Sequence, residues 1–197
     1  MNLVSRAQAI ILKPKEEWVK IKEEPTTIQQ LFTQYAVILA AIPAVAQFIG
    51  NGLVGRRVPF AGWVRFSIGS ALLQAILFFI FTLISVYIFG IVINALAPSF
   101  GSKQSPVNAM KLAVYSMTPM WVAGIFYIIP LLGFLAWLAG LYSLYVLYLG
   151  FNNPLMDTPK DKVVGYMLVS FVVIIVLSLV VGWILGAIFT VGAISRI

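Results

Sequence analysis

Long apolar runs without charge alternate with short basic stretches along this chain. A hydrocarbon core about 30 Å thick is crossed by roughly 20 helical residues rising about 1.5 Å each. The first such run is 31–50, LFTQYAVILAAIPAVAQFIG. Thr27 and Gln30 ahead of it have capping-box spacing, and Pro43 should kink or break it. The next is 66–96, whose 31 residues would measure about 46 Å, so it must tilt or leave one end in the interface. The last, 163–194, has the same excess length. Between them, 112–156 holds 45 residues and no charge. As one helix it would reach about 68 Å, twice what a bilayer needs. Its middle reads FYIIPLLGF, so Pro130, with Gly133 after it, predicts a tight turn between spans 111–129 and 131–151. A re-entrant pair is the alternative.

Ahead of the first span the period changes. Leu3, Val4, Ala7, Ile10 and Ile11 recur at helical spacing, with Arg6 and Gln8 off that face. A second helix should open at Pro14, carry Glu16 and Glu17 in its first turn, and stop before Pro25. Both read as amphipathic helices on a membrane surface, or packed on the protein's own loops. Lys13, Lys15, Trp18, Lys20, Ile21 and Lys22 are the expected surface or partner contacts. The predicted fold class is therefore all-α: five transmembrane helices (28–197) behind a surface segment (1–27).

Composition sharpens this picture. The chain is 61% hydrophobic and 10% charged, far from a soluble domain. Its net charge of +7 sits beside the apolar runs, which suits membrane topology and anionic lipid better than nucleic acid. Nine basic residues fall on the N-terminal side of the five spans and four (Arg56, Arg57, Arg65, Arg196) on the other. The positive-inside rule then predicts a cytoplasmic N-terminus and a C-terminus across an inner, or plasma, membrane. The first residues lack the apolar core of a cleavable signal.

The chain has neither Cys nor His, and the expected span cores hold no ionisable residue, with Lys111 at an end. That argues against a metal centre, a proton-coupled carrier and an intramembrane protease, so no catalytic residue and no cofactor is expected. Asn94, Tyr115, Thr118, Pro119, Tyr142 and Tyr145 are candidates for a polar groove; packing and interfacial anchoring explain the same residues. Ala36, Ala40 and Ala44 form one small-residue stripe, and Ser178, Gly182 and Gly186 another, for contact between helices or with a second copy of the chain. Arg56 and Arg57, in the loop NGLVGRRVPFAGWVR, are the weaker candidate for an anionic headgroup.

The element PKEEWVKI (14–21) and the block SPVNAMKLAVYSMTPMWVAGIFYIIPLLGFLAWLAGLYSLYVLYLGF (105–151) resemble the Yip family, the Ypt/Rab-interacting membrane proteins, in its short prokaryotic form. The likeness is most specific at Tyr115, Thr118, Pro119, Pro130 and 141–150. It implies five spans, a cytoplasmic N-terminus and no catalytic residues. Eukaryotic members bind Rab-type GTPases through a long N-terminal domain; about 27 residues precede the first span here, so that partner transfers poorly. The expected function is a non-catalytic membrane scaffold that organises the bilayer or recruits a partner. Deleting 1–24 should then remove that effect and leave the bundle folded. The alternative is a transporter or scramblase for a lipid or neutral solute, motivated by the prolines at 43 and 119. Membrane lipid, another membrane or cytoplasmic protein, and a second copy of the chain are the expected partners.

Overall fold

The computed structural model describes residues 2–58, 62–152, 155–176 and 179. Among these the chain is helical apart from one two-stranded ribbon. Helices α1 (Leu3–Leu12) and α2 (Pro14–Glu23) come first. Helix α3 (Ile28–Val54) leads to strands β1 (Arg56–Val58) and β2 (Gly62–Val64), antiparallel with Arg57 opposite Trp63. Then follow α4 (Ile68–Phe100), α5 (Pro106–Ser116), α6 (Thr118–Ala123), α7 (Pro130–Asn152) and α8 (Val163–Val176).

Local chemistry sets most of these ends. The Asn2 side chain accepts the Val4 N–H at 3.0 Å and opens α1. At α3 the capping box forms: Thr27 Oγ1 accepts the Gln30 N–H at 3.1 Å, and Gln30 Oε1 accepts the Thr27 N–H at 3.0 Å. The helix is not broken at Pro43. It runs on through that residue, flanked by π-helical turns at Phe32–Ala36 and Gly50–Val54. The groove beside Pro43 is filled by backbone, because a Cβ on Gly124 would lie 2.4 Å from the proline Cβ.

Pro130 does make a turn. Gly124–Ile128 tightens into a 3₁₀ helix, Ile129 is extended, and Pro130 opens the next 3₁₀ turn into α7. The rising limb differs from the expected 111–129. It begins at Pro106, capped by Ser105, and is cut at Met117. Pro119 has no N–H to give Tyr115, and the Thr118 hydroxyl donates to the Tyr115 carbonyl instead, at 2.7 Å. Lys111 therefore lies inside α5 rather than at its end, and every residue from Ala109 to Ser116 is buried. A helix enclosed on all sides needs no polar face.

Among the described residues, three helices are long and apolar enough to cross a membrane: α3, α4 and α7. α8 is described over a shorter apolar stretch, and most of the expected span 163–194 lies outside the described residues.

α5 packs along α4, touches α7, and meets the first turn of α3; α6 packs on α3 and α7. The loops at one end close on each other. The Lys103 N–H donates to the Met156 carbonyl, and Asn108 Nδ2 to the Leu155 carbonyl at 2.8 Å. The Tyr166 hydroxyl donates to the Ile93 carbonyl, its ring stacked on Phe100.

Candidate membrane-surface platform

Helices α1 and α2 form a hairpin that lies across α6 and α7. Their apolar faces carry one charge each. Leu3, Arg6, Ala7 and Ile10 share a face of α1; Pro14, Glu17, Trp18 and Ile21 share a face of α2. Arg6 is 4% exposed and Glu17 1%. Arg6 Nη1 donates to Glu17 Oε1 at 2.6 Å, and Nη2 to Glu24 Oε2. Lys20 Nζ reaches Glu17 Oε2 at 3.2 Å. The guanidinium carbon stands 5.7 Å from the Tyr115 ring centre. The inward charges are thus matched to each other, as burial requires.

The bundle also caps both helices at their C-terminal ends. Lys111 Nζ donates to the carbonyls of Ile21 (2.6 Å) and Glu24 (2.7 Å). Tyr142 donates its hydroxyl proton to the Ile11 carbonyl at 2.8 Å. Terminal helix carbonyls lack partners of their own and carry the negative pole, so a cation at α2 meets both needs. Trp18 inserts between α5 and α7. Its Nε1 donates to the Val146 carbonyl at 3.0 Å, and a Cβ on Gly150 would come within 2.8 Å of its ring.

This placement corrects part of the expected surface-contact set. Trp18 and Ile21 are each 1% exposed and belong to the core; burying an indole and an aliphatic chain against α5 and α7 gains more than leaving them in an interface. Lys13, Lys15, Lys20 and Lys22 do point outward. Deleting 1–24 would strip Ile10, Trp18 and Ile21 from the core and strand Lys111, so an intact bundle is no longer the expected result.

The six candidate groove residues do not share one groove. Tyr115 and Thr118 join Tyr35 in a buried knot, with Tyr35 and Thr118 hydroxyls 2.9 Å apart and the two tyrosine rings 4.8 Å apart. Pro119 is buried beside them. Tyr142 and Tyr145 stand at the α1–α2 elbow, rings 5.7 Å apart. Asn94 is elsewhere, on α4, its carbonyl accepting from Gln104. Ala36, Ala40 and Ala44 are all buried in α3. Ser178, Gly182 and Gly186 lie outside the described residues. Arg56 and Arg57 are described only as the backbone of β1.

The knot of Arg6, Glu17, Glu24 and Lys111 escaped the sequence reading. Spacing set Arg6 off the apolar face of α1, whereas the fold turns it inward with Ala7 and Ile10, towards Glu17 on the inward face of α2. Lys111 offered no clue, since its acceptors lie 87 and 90 residues away.

A family model described as the Yip1 domain matches residues 9–192. The chain belongs to the Yip1 family. Among curated relatives, this Yip1 chain is 29% identical over 128 residues to the inner membrane protein YohC of Escherichia coli K12, and equally to that of E. coli O6:H1. The match covers 65% of the chain and 66% of the relative's length. No solved structure matches. The block 105–151 and the α2 element that carried the Yip resemblance both fall inside the Yip1 match.

Proposed function

We propose that this Yip1-family chain is a non-catalytic, multi-pass inner-membrane protein that organises the bilayer around itself, with the α1–α2 platform on the cytoplasmic side. The observation behind this reading is an uneven apolar belt. On α4, exposed apolar side chains run from Ile68 to Ile91, about 35 Å of helix. On the α7 side they run only from Leu131 to Tyr145, about 21 Å. Above Tyr145 the helix is covered by α2, whose outer side is charged, with Lys15, Lys20 and Lys22 beside Glu16 and Glu23. A bilayer core of about 30 Å suits the first face and overshoots the second, so lipid beside α7 should thin or tilt. The YohC relatives' inner-membrane location and the bias of basic residues support the placement.

The test is bilayer thickness around the protein in lipid nanodiscs, measured by cryo-electron microscopy beside α7 and beside α4. Several ångströms of thinning confined to the α7 side is the expected result. A uniform bilayer overturns the reading. Stimulated lipid scrambling or solute flux in proteoliposomes would replace it with the carrier alternative.

A further inference from the structure

We propose that a cup between α1, the start of α3 and α5 binds a neutral polyol, two adjacent hydroxyls of a glycerol-like group, through Tyr115 and Gln34. The cup encloses about 110 Å³, and Arg6, Glu24, Gln30, Gln34, Tyr35 and Tyr115 line it. One water needs only about 10–15 Å³, so the cup is larger than a single hydration site. Two tyrosine rings from α3 and α5 form its floor, 4.8 Å apart and inclined at 73°. The Tyr35 hydroxyl is taken by Thr118. The Tyr115 hydroxyl is not: the residue is only 8% exposed, yet no other described residue bonds its oxygen. A phenol so deeply buried and left unpaired is costly, so it calls for a partner from outside the chain.

The character of that partner follows from what the cup leaves open. Arg6 is already answered by Glu17 and Glu24. An anion would have to displace a carboxylate, and a cation would face the guanidinium. The open groups are neutral. Gln30 accepts the Thr27 N–H on its amide oxygen, which fixes the side chain and leaves its NH2 as a donor. Gln34, exposed one turn further along α3, has both amide atoms open. The Tyr115 hydroxyl can donate and accept. Groups that do both match adjacent hydroxyls, which do the same; a phosphate accepts only, and an ammonium donates only. The cup sits at the capped start of α3, and Ile38, one turn beyond Gln34, is already exposed and apolar. That is where headgroups meet hydrocarbon, so the hydroxyls come either from a lipid headgroup or from a soluble polyol.

The experiment reads lipid retention by native mass spectrometry, with the full chain released from micelles holding equal amounts of phosphatidylglycerol and phosphatidylpropanol. The two headgroups carry the same charge and differ only in two hydroxyls. Retention should favour phosphatidylglycerol by about tenfold, the value of one or two net hydrogen bonds. Tyr115→Phe should abolish the preference without lowering the melting temperature, because it removes a hydroxyl that bonds nothing in the fold. Gln34→Leu should weaken the preference, and Tyr148→Phe, which removes a hydroxyl from α7, should preserve it. A second arm records saturation-transfer NMR on glycerol with the chain in phosphatidylcholine nanodiscs. Without a lipid preference, a glycerol signal that Tyr115→Phe removes assigns the cup to a soluble polyol. Equal retention with no such signal means that the cup holds water alone and overturns the site. A preference that survives Tyr115→Phe, or a melting temperature that this change lowers, overturns it too. Neither readout depends on bilayer thickness, so the cup and the bilayer-organising reading stand or fall separately.

Discussion

The two ends of the helical bundle are held by opposite means. At the α1–α2 end, anchoring is polar and long-range: Arg6 to Glu17 and Glu24, Lys111 to two carbonyls, Tyr142 to a third, Trp18 to a fourth. At the Pro130 end it is steric: the Tyr127 carbonyl lies where a Cβ on Gly50 would fall, 2.1 Å away. The difference follows from what each end must position. A turn as apolar as FYIIPLLGF is held by close backbone contact within a bundle already folded. A hairpin with charged outer residues cannot sink into lipid, so directional bonds must tie it down. Donors aimed at helix-end carbonyls do this without leaving backbone groups unpaired.

The sharpest way to break that contrast is at the charged end. Arg6→Ala should destabilise the full chain in micelles by about 3–5 kcal/mol, because Glu17 stays buried without its main partner. Lys20 remains near Glu17, which favours the lower part of that range. Unfolding against increasing denaturant reads this directly, and the joint change Arg6→Met/Glu17→Leu should recover much of the loss. At the steric end, Gly50→Ala should cost about 1–3 kcal/mol, the range for overpacking. Its effect should be independent of Arg6→Ala, since the two sites share no partner; a measured coupling would mean the ends communicate. The smallest effect is Tyr142→Phe, about 0.5–1.5 kcal/mol, for one hydrogen bond to the Ile11 carbonyl. A larger loss would show that this bond holds the whole hairpin.

Where the deciding chemistry is local, the sequence already shows it. Pro14 at a helix start, the Thr27–Gln30 box and the Pro130 turn each depend on residues within a few positions. The break at Met117 was harder to read, because a proline inside an apolar run can bend a helix or end it, and here the Thr118 hydroxyl takes the freed carbonyl. Trp18 and Ile21 read equally as membrane-surface contacts or as packing on the protein itself, because an amphipathic helix looks the same whether its partner is lipid or protein. Which one it meets is decided by Gly150, whose missing side chain admits the indole from the far end of the sequence. The elbow lies between these cases: Lys13, Lys15 and Tyr145 were each candidates, in two separate sets, and only the fold sets them side by side.

The bond from Trp18 to Val146 spans 128 residues, and that separation has a consequence in time. The platform is made before the carbonyl that receives its indole. At about 5–20 residues per second, α1 and α2 wait roughly 6–25 s after synthesis for their acceptor. The hairpin is made well before its seat, so its docking can come only after α7 has been made.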